Sequence, residues 1–204
     1  YYLAGVFWAP LPNALVHVHG AAFTLFFLLF IAQTSLVALG RTDWHRRLGI
    51  FAAVVACLLV ILGGLVATED LANHGTSDTA NSTPGVNYAE FLSDILMFTV
   101  LMACALRFRT RPVVHKRLAL IAMLSILDPA YDRWPIPVSW WDDRVSPAIC
   151  TYPVLLLLMF YDRWTTRTVQ PATLWASALL LLVQQSRDPL GRSAVWQSFS
   201  GWAY

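Results

Sequence analysis

Two imidazoles stand in nearly the same tetrapeptide, His45-Arg46-Arg47-Leu48 and His115-Lys116-Arg117-Leu118, each just ahead of a long apolar run. Two such side chains at one depth in a helical bundle are the ligand set of a bis-His haem b, with each ring nitrogen oriented by its neighbours. Arg46, Arg47, Lys116 and Arg117 would then neutralise the two propionates. The same residues also suit a quinone headgroup, or anionic lipid headgroups, which attract basic residues by about 1 kcal/mol each. All three readings stand on the sequence.

A second constellation is acidic and lies at the other end of the apolar runs: His17, His19, Asp94 with Glu90 one turn before it, His74 and Arg133. A carboxylate inside an apolar helix must be protonated or find a cation, and His19 or Arg133 would serve Asp94. A structural pair pinning helices together is one outcome. A metal site of His19, Asp94 and His74 is another, in the manner of the ligand sets zinc uses, and a proton-linked site is the third. On a helix His19, Phe26 and Gln33 fall on one stripe, while His17 points elsewhere.

The elements that must hold these groups are membrane helices. Of 204 residues, 57% are hydrophobic and only 13% charged, against about 25% charged in soluble domains. A net charge of +2 leaves no basic footprint for nucleic acid. Apolar windows run over Leu15–Leu39, Leu48–Ala67, Phe91–Leu106, Leu118–Ala130, Val145–Tyr161 and Pro171–Val183, long enough, or nearly so, to cross about 30 Å of hydrocarbon. The expectation is an all-α integral membrane fold of six spans. Residues 1–135 form a four-helix core, a two-helix unit used twice, and residues 136–204 hold an outer aromatic connection, two further spans and a tail.

Charge orients these spans. Ten basic residues (Arg41, Arg46, Arg47, Arg107, Arg109, Arg111, Lys116, Arg117, Arg163 and Arg167) fall on one side, opposed only by Asp43 and Asp162. The positive-inside rule makes that side cytoplasmic and puts both termini outside. Trp and Tyr gather at the outer boundary, as an aromatic belt does, and the connection bearing Trp134, Trp140 and Trp141 suits docking of another subunit. Cys57, Cys104 and Cys150 sit in three different spans and form neither a disulfide framework nor a ligand spacing. Neither a Gly-x-Ser-x-Gly elbow nor a Gly-rich phosphate loop occurs.

The run His19-Gly20, Gln33-Thr34, His45-Arg46-Arg47-Leu48-Gly49, Asp94, His115-Lys116-Arg117-Leu118 and Arg133 resembles a family of small bacterial multi-pass membrane proteins without an established activity. That resemblance covers roughly residues 15–135 and implies a bacterial inner-membrane setting. More loosely, histidines on a four-helix membrane core are similar to b561-type cytochromes, although the histidine spacing of that group is absent. Three expectations follow. The first is a non-catalytic accessory subunit of a larger respiratory or photosynthetic membrane complex, in contact with lipids and other subunits. The second is a haem b or quinone-linked electron-transfer protein using His45 and His115. The third is a metal- or proton-linked membrane enzyme or carrier using His19 and Asp94.

Overall fold

A computed structural model describes residues 13–74, 84–131 and 147–203. These are helical almost throughout, with no strand among them. In chain order the helices are α1 (Ala14–Ala38), α2 (Thr42–His74), α3 (Pro84–Arg107), α4 (Pro112–Ser125), α5 (Asp128–Tyr131), a π-helical turn (Pro147–Thr151) running into α6 (Tyr152–Thr166), α7 (Pro171–Gly191) and α8 (Ala194–Ala203). The chain forms two compact units, one built on α1 and α2 and the other beginning at α3.

The first unit is a helical hairpin. Asn13 caps α1, its side chain accepting a hydrogen bond from the Val16 N–H at 3.0 Å, as the orphan N–H groups of a first turn require. Its amide nitrogen also donates to Glu69 near the far end of α2. At the other end Gly40 takes φ +72°. The Arg41 N–H donates to Leu36 O at 2.8 Å and the Gly40 N–H to Val37 O at 3.0 Å. That pair of bonds is a Schellman stop, which closes α1 and sends the chain back as α2. Across the hairpin, Phe26 and Leu29 are buried on α1, and Val55, Ala56, Leu59 and Leu62 on α2. Close approach is helped at Gly49, where an added Cβ would already touch the Gln33 amide.

In the second unit α3 packs on both α4 and α7, and α6 lies against α7. Pro112 occupies the first turn of α4 and Pro171 that of α7, where the missing N–H costs nothing. The buried face of α7 runs Thr173, Ser177, Leu180, Gln184, Arg187, Gly191, steps of four and three residues that keep one stripe of a helix turned inward. Gly191 is required there, because a Cβ would stand 2.8 Å from Val86 Cα on α3. Helix α8 then folds back, and the Trp196 indole N–H donates to Gly85 O at the start of α3.

Among the described residues, three helices are long and apolar enough to cross a membrane: α1, α2 as far as Asn73, and α3 from Gly85. The fourth, fifth and sixth windows fold differently from the expectation. Helix α4 stops at Ser125 and the chain breaks before α5, because Pro129 cannot extend the α4 hydrogen-bond ladder. The fifth window opens as a π-helical turn at Pro147. The sixth does not end at Val183. It continues through Gln184 and Arg187 to Gly191, because those polar side chains face the interior and have partners there.

Candidate functional site

The second unit holds two buried charge centres. The first joins α4 to α6 and α7. Arg117 and Asp162 are 2% and 0% exposed. Arg117 Nε donates to Asp162 Oδ1 at 2.9 Å and to Oδ2 at 3.1 Å, Nη2 donates to Oδ1, and Nη1 donates to Val113 O at 2.7 Å. Asp162 also accepts from the Thr173 hydroxyl at 2.6 Å and from the Gln170 N–H at 3.2 Å. Burying a carboxylate is costly, and the Arg117 guanidinium with the Thr173 and Gln170 bonds offsets that cost.

The second centre lies one stripe-length along α7, about 21 Å by the rise of an α-helix from Thr173 to Arg187. Arg187 reaches three carboxylates from one guanidinium: Asp94 Oδ1 at 3.0 Å, Asp128 Oδ2 at 3.7 Å and Glu90 Oε1 at 3.8 Å. Asp128 additionally accepts from Gln184 and, at 2.9 Å, from the Thr151 hydroxyl. Helices α3, α5, α7 and the π-helical turn therefore meet on one arginine and one aspartate. Glu90 and Asp94 do share a helix face, as their spacing of four implies. Between the centres Leu180 and Ile121 are fully buried, and two interior polar atoms, Ser177 Oγ and Gln184 Oε1, accept or donate no hydrogen bond among the described residues.

The residues singled out from sequence fall as follows. His45 and His115 are each the fourth residue of their helix, and each N–H bonds the carbonyl of the arginine preceding the helix, Arg41 at 3.1 Å and Arg111 at 2.9 Å. His45 belongs to the first unit and His115 to the second. Both rings are half-buried, and His115 Nδ1 lies 2.8 Å from Ala105 O on α3. Arg46 and Lys116 are exposed, with Lys116 Nζ over the Tyr161 ring at 5.8 Å. Arg47 is exposed over Trp44 at 5.8 Å, whereas Arg117 is committed to Asp162. His19 is half-buried on α1 in the first unit, and Asp94 is in the second. The His74 side chain, Arg133, Trp134, Trp140 and Trp141 lie outside the described residues. Among the described residues no three His, Cys, Asp or Glu side chains gather as a metal-ligand set.

Sequence reasoning passed over Asp162, Arg187, Gln184 and Thr151. A signal for Asp162 was present, since it is one of only two acids among ten basic residues on its side of the expected topology. Comparison of the chain with protein-family models, with curated proteins and with solved structures gives no match.

Proposed function

We propose that this chain is a non-catalytic integral-membrane subunit of a larger assembly in a bacterial inner membrane. The observation that carries the reading is the mutual commitment of the interior charges. Arg117 uses its donors on Asp162 and Val113 O, and Arg187 faces the carboxylates of Glu90, Asp94 and Asp128. Groups bound to one another in this way hold helices in register, and a reaction centre would instead need them to face a substrate cavity.

Six spans remain the topology that best uses the chain. Residues 112–131 and 147–166 are each about 20 residues long across their breaks, and α7 has 21, which suffices for about 30 Å of hydrocarbon. Irregular backbone at membrane depth is tolerated where protein covers it, and Asp128 and Thr151 at the two breaks are buried and bonded to each other. The positive-inside rule then sets the Arg117–Asp162 end in the cytoplasm and both termini outside.

The test is native mass measurement of the full chain extracted from its own membrane in a mild detergent. A particle well above the mass of one chain that holds another membrane polypeptide in fixed ratio is expected. A particle holding one chain alone overturns the reading.

One observation favours a second reading, a haem b-linked electron-transfer protein with His115 as a ligand. The Nδ1 contact of His115 with Ala105 O would orient the ring for that role. Lys116 is exposed and would meet a propionate, while Arg117 is engaged by Asp162. When bound, haem would supply one-electron transfer. A dithionite-reduced minus oxidised spectrum of protein made in haem-replete cells decides it, and absence of a Soret band ends it.

A further inference from the structure

The two charge centres of the second unit are closed to different degrees. At Arg117 the bonds are direct: Asp162, Val113 O, the Thr173 hydroxyl and the Gln170 N–H are joined at 3.2 Å or less. At Arg187, Asp94 is bonded directly at 3.0 Å. Asp128 Oδ2 stands 3.7 Å from Nη2, and Glu90 Oε1 stands 3.8 Å from Nε. Both separations exceed about 3.5 Å, where a polar contact calls for a bridging water. The Gln184 amide lies at the same point. Its Nε2 donates to Asp128 Oδ2, the oxygen that faces Arg187, while Oδ1 is taken by the Thr151 hydroxyl at 2.9 Å. Its Oε1, on the same planar group, has no hydrogen-bond partner among the described residues, and Gln184 is 7% exposed. A carbonyl oxygen so deeply buried is seldom left without a donor.

We infer that one water molecule is a built part of the Arg187 centre, bound between Gln184 Oε1, Asp128 Oδ2 and the Arg187 guanidinium. The chemistry of the three groups selects it. Gln184 Oε1 and Asp128 Oδ2 accept hydrogen bonds, and a guanidinium only donates them. A ligand that serves all three must give two hydrogens and accept one, as water does. About three hydrogen bonds are the usual complement of an internal water. A metal ion would suit the two oxygens and be repelled by the guanidinium, and an anion would be repelled by both oxygens. Ser177 Oγ, the other orphan on the stripe, stands about 10.5 Å back along α7 and takes no part. The second unit thus carries a dry centre at Arg117 and a wet one at Arg187. The wet one has beside its carboxylate a molecule that can give or take a proton, which the dry one lacks.

The test is water-edited solid-state NMR of the full chain, labelled with nitrogen-15 arginine, in lipid bilayers. Magnetisation that starts on water is expected to reach the Arg187 side-chain N–H signals quickly and to bypass those of Arg117. Gln184→Leu, which removes the accepting oxygen, should abolish the transfer to Arg187. Ser177→Ala, which removes the other orphan, should leave it unchanged. No transfer to Arg187 in the unaltered chain overturns the inference, as does transfer of equal speed to Arg117. Transfer that persists in a folded Gln184→Leu protein overturns it too, since the water would then be held elsewhere. Should that variant fail to fold, the comparison of Arg187 with Arg117 in the unaltered chain still decides. The site lies inside the second unit, so the outcome is independent of the subunit reading above.

Discussion

Two hairpins of this chain begin their return helices alike and finish differently. In α1–α2, Arg47 lies on the surface against Trp44, and α2 shows apolar side chains outward. In α3–α4, Arg117 is buried against Asp162, and the same stripe of α4 is enclosed. The local sequences His45-Arg46-Arg47-Leu48 and His115-Lys116-Arg117-Leu118 cannot produce this contrast, since they are nearly the same. The difference arises some 45 residues downstream, in an aspartate on α6 and a threonine on α7. A basic residue at a helix end is thus surface or core according to what a distant helix presents to it. The energetic consequence is asymmetric, because a buried pair adds little over an apolar packing yet costs much to break.

The largest expected effect follows from that asymmetry. Asp162→Ala strands the Arg117 guanidinium in a buried site and should destabilise the protein by about 3–5 kcal/mol, read as a lowered midpoint of denaturation in detergent. Joint replacement by Arg117→Met and Asp162→Leu should recover most of the loss. If the single and double variants lost equal stability, the pair would not be the source of the contrast.

Next in size is the second centre. Arg187→Met leaves Asp94 and Asp128 without their guanidinium at buried positions. A loss of about 3 kcal/mol is expected, partly relieved by adding Asp94→Asn. Measured coupling near zero between the two substitutions would mean that Arg187 and Asp94 do not depend on each other. Smaller again is Gly191→Ala, where a methyl group would meet the Val86 backbone at 2.8 Å and force α7 off α3, at about 1–3 kcal/mol. Gly40→Ala has open space around it, so only its left-handed backbone resists, at about 1–2 kcal/mol.

These centres also mark where the sequence stops being readable. Long unbroken apolar runs reveal α1, α2 and α3, because a span needs only length and hydropathy, both local properties. Glu90 and Asp94 are legible as one face for the same reason. Helix α7 is harder, since its inward stripe carries Thr173, Ser177, Gln184 and Arg187 and its outward side carries Leu174, Trp175 and Leu182. Polarity inside and grease outside lower the apolar content of the end of the window, so the helix looks finished at Val183. The expected partners of Asp94 were His19 and Arg133, and the cation it meets is Arg187, 93 residues on. Pairing across that separation is a property of the packing, and no spacing rule contains it.

The smallest expected effect tests the exposed half of the comparison. Arg47→Met removes a cation from the surface of α2, where its contact is the Trp44 ring at 5.8 Å. An exposed cation–π contact is worth about 0.5–1 kcal/mol, and methionine keeps the helix propensity and much of the stem. The isolated chain should therefore lose no more than about 1 kcal/mol, well under the cost of Asp162→Ala. A loss as large as that of Asp162→Ala in the isolated protein would mean that Arg47 is already enclosed, and the two hairpins would then be alike.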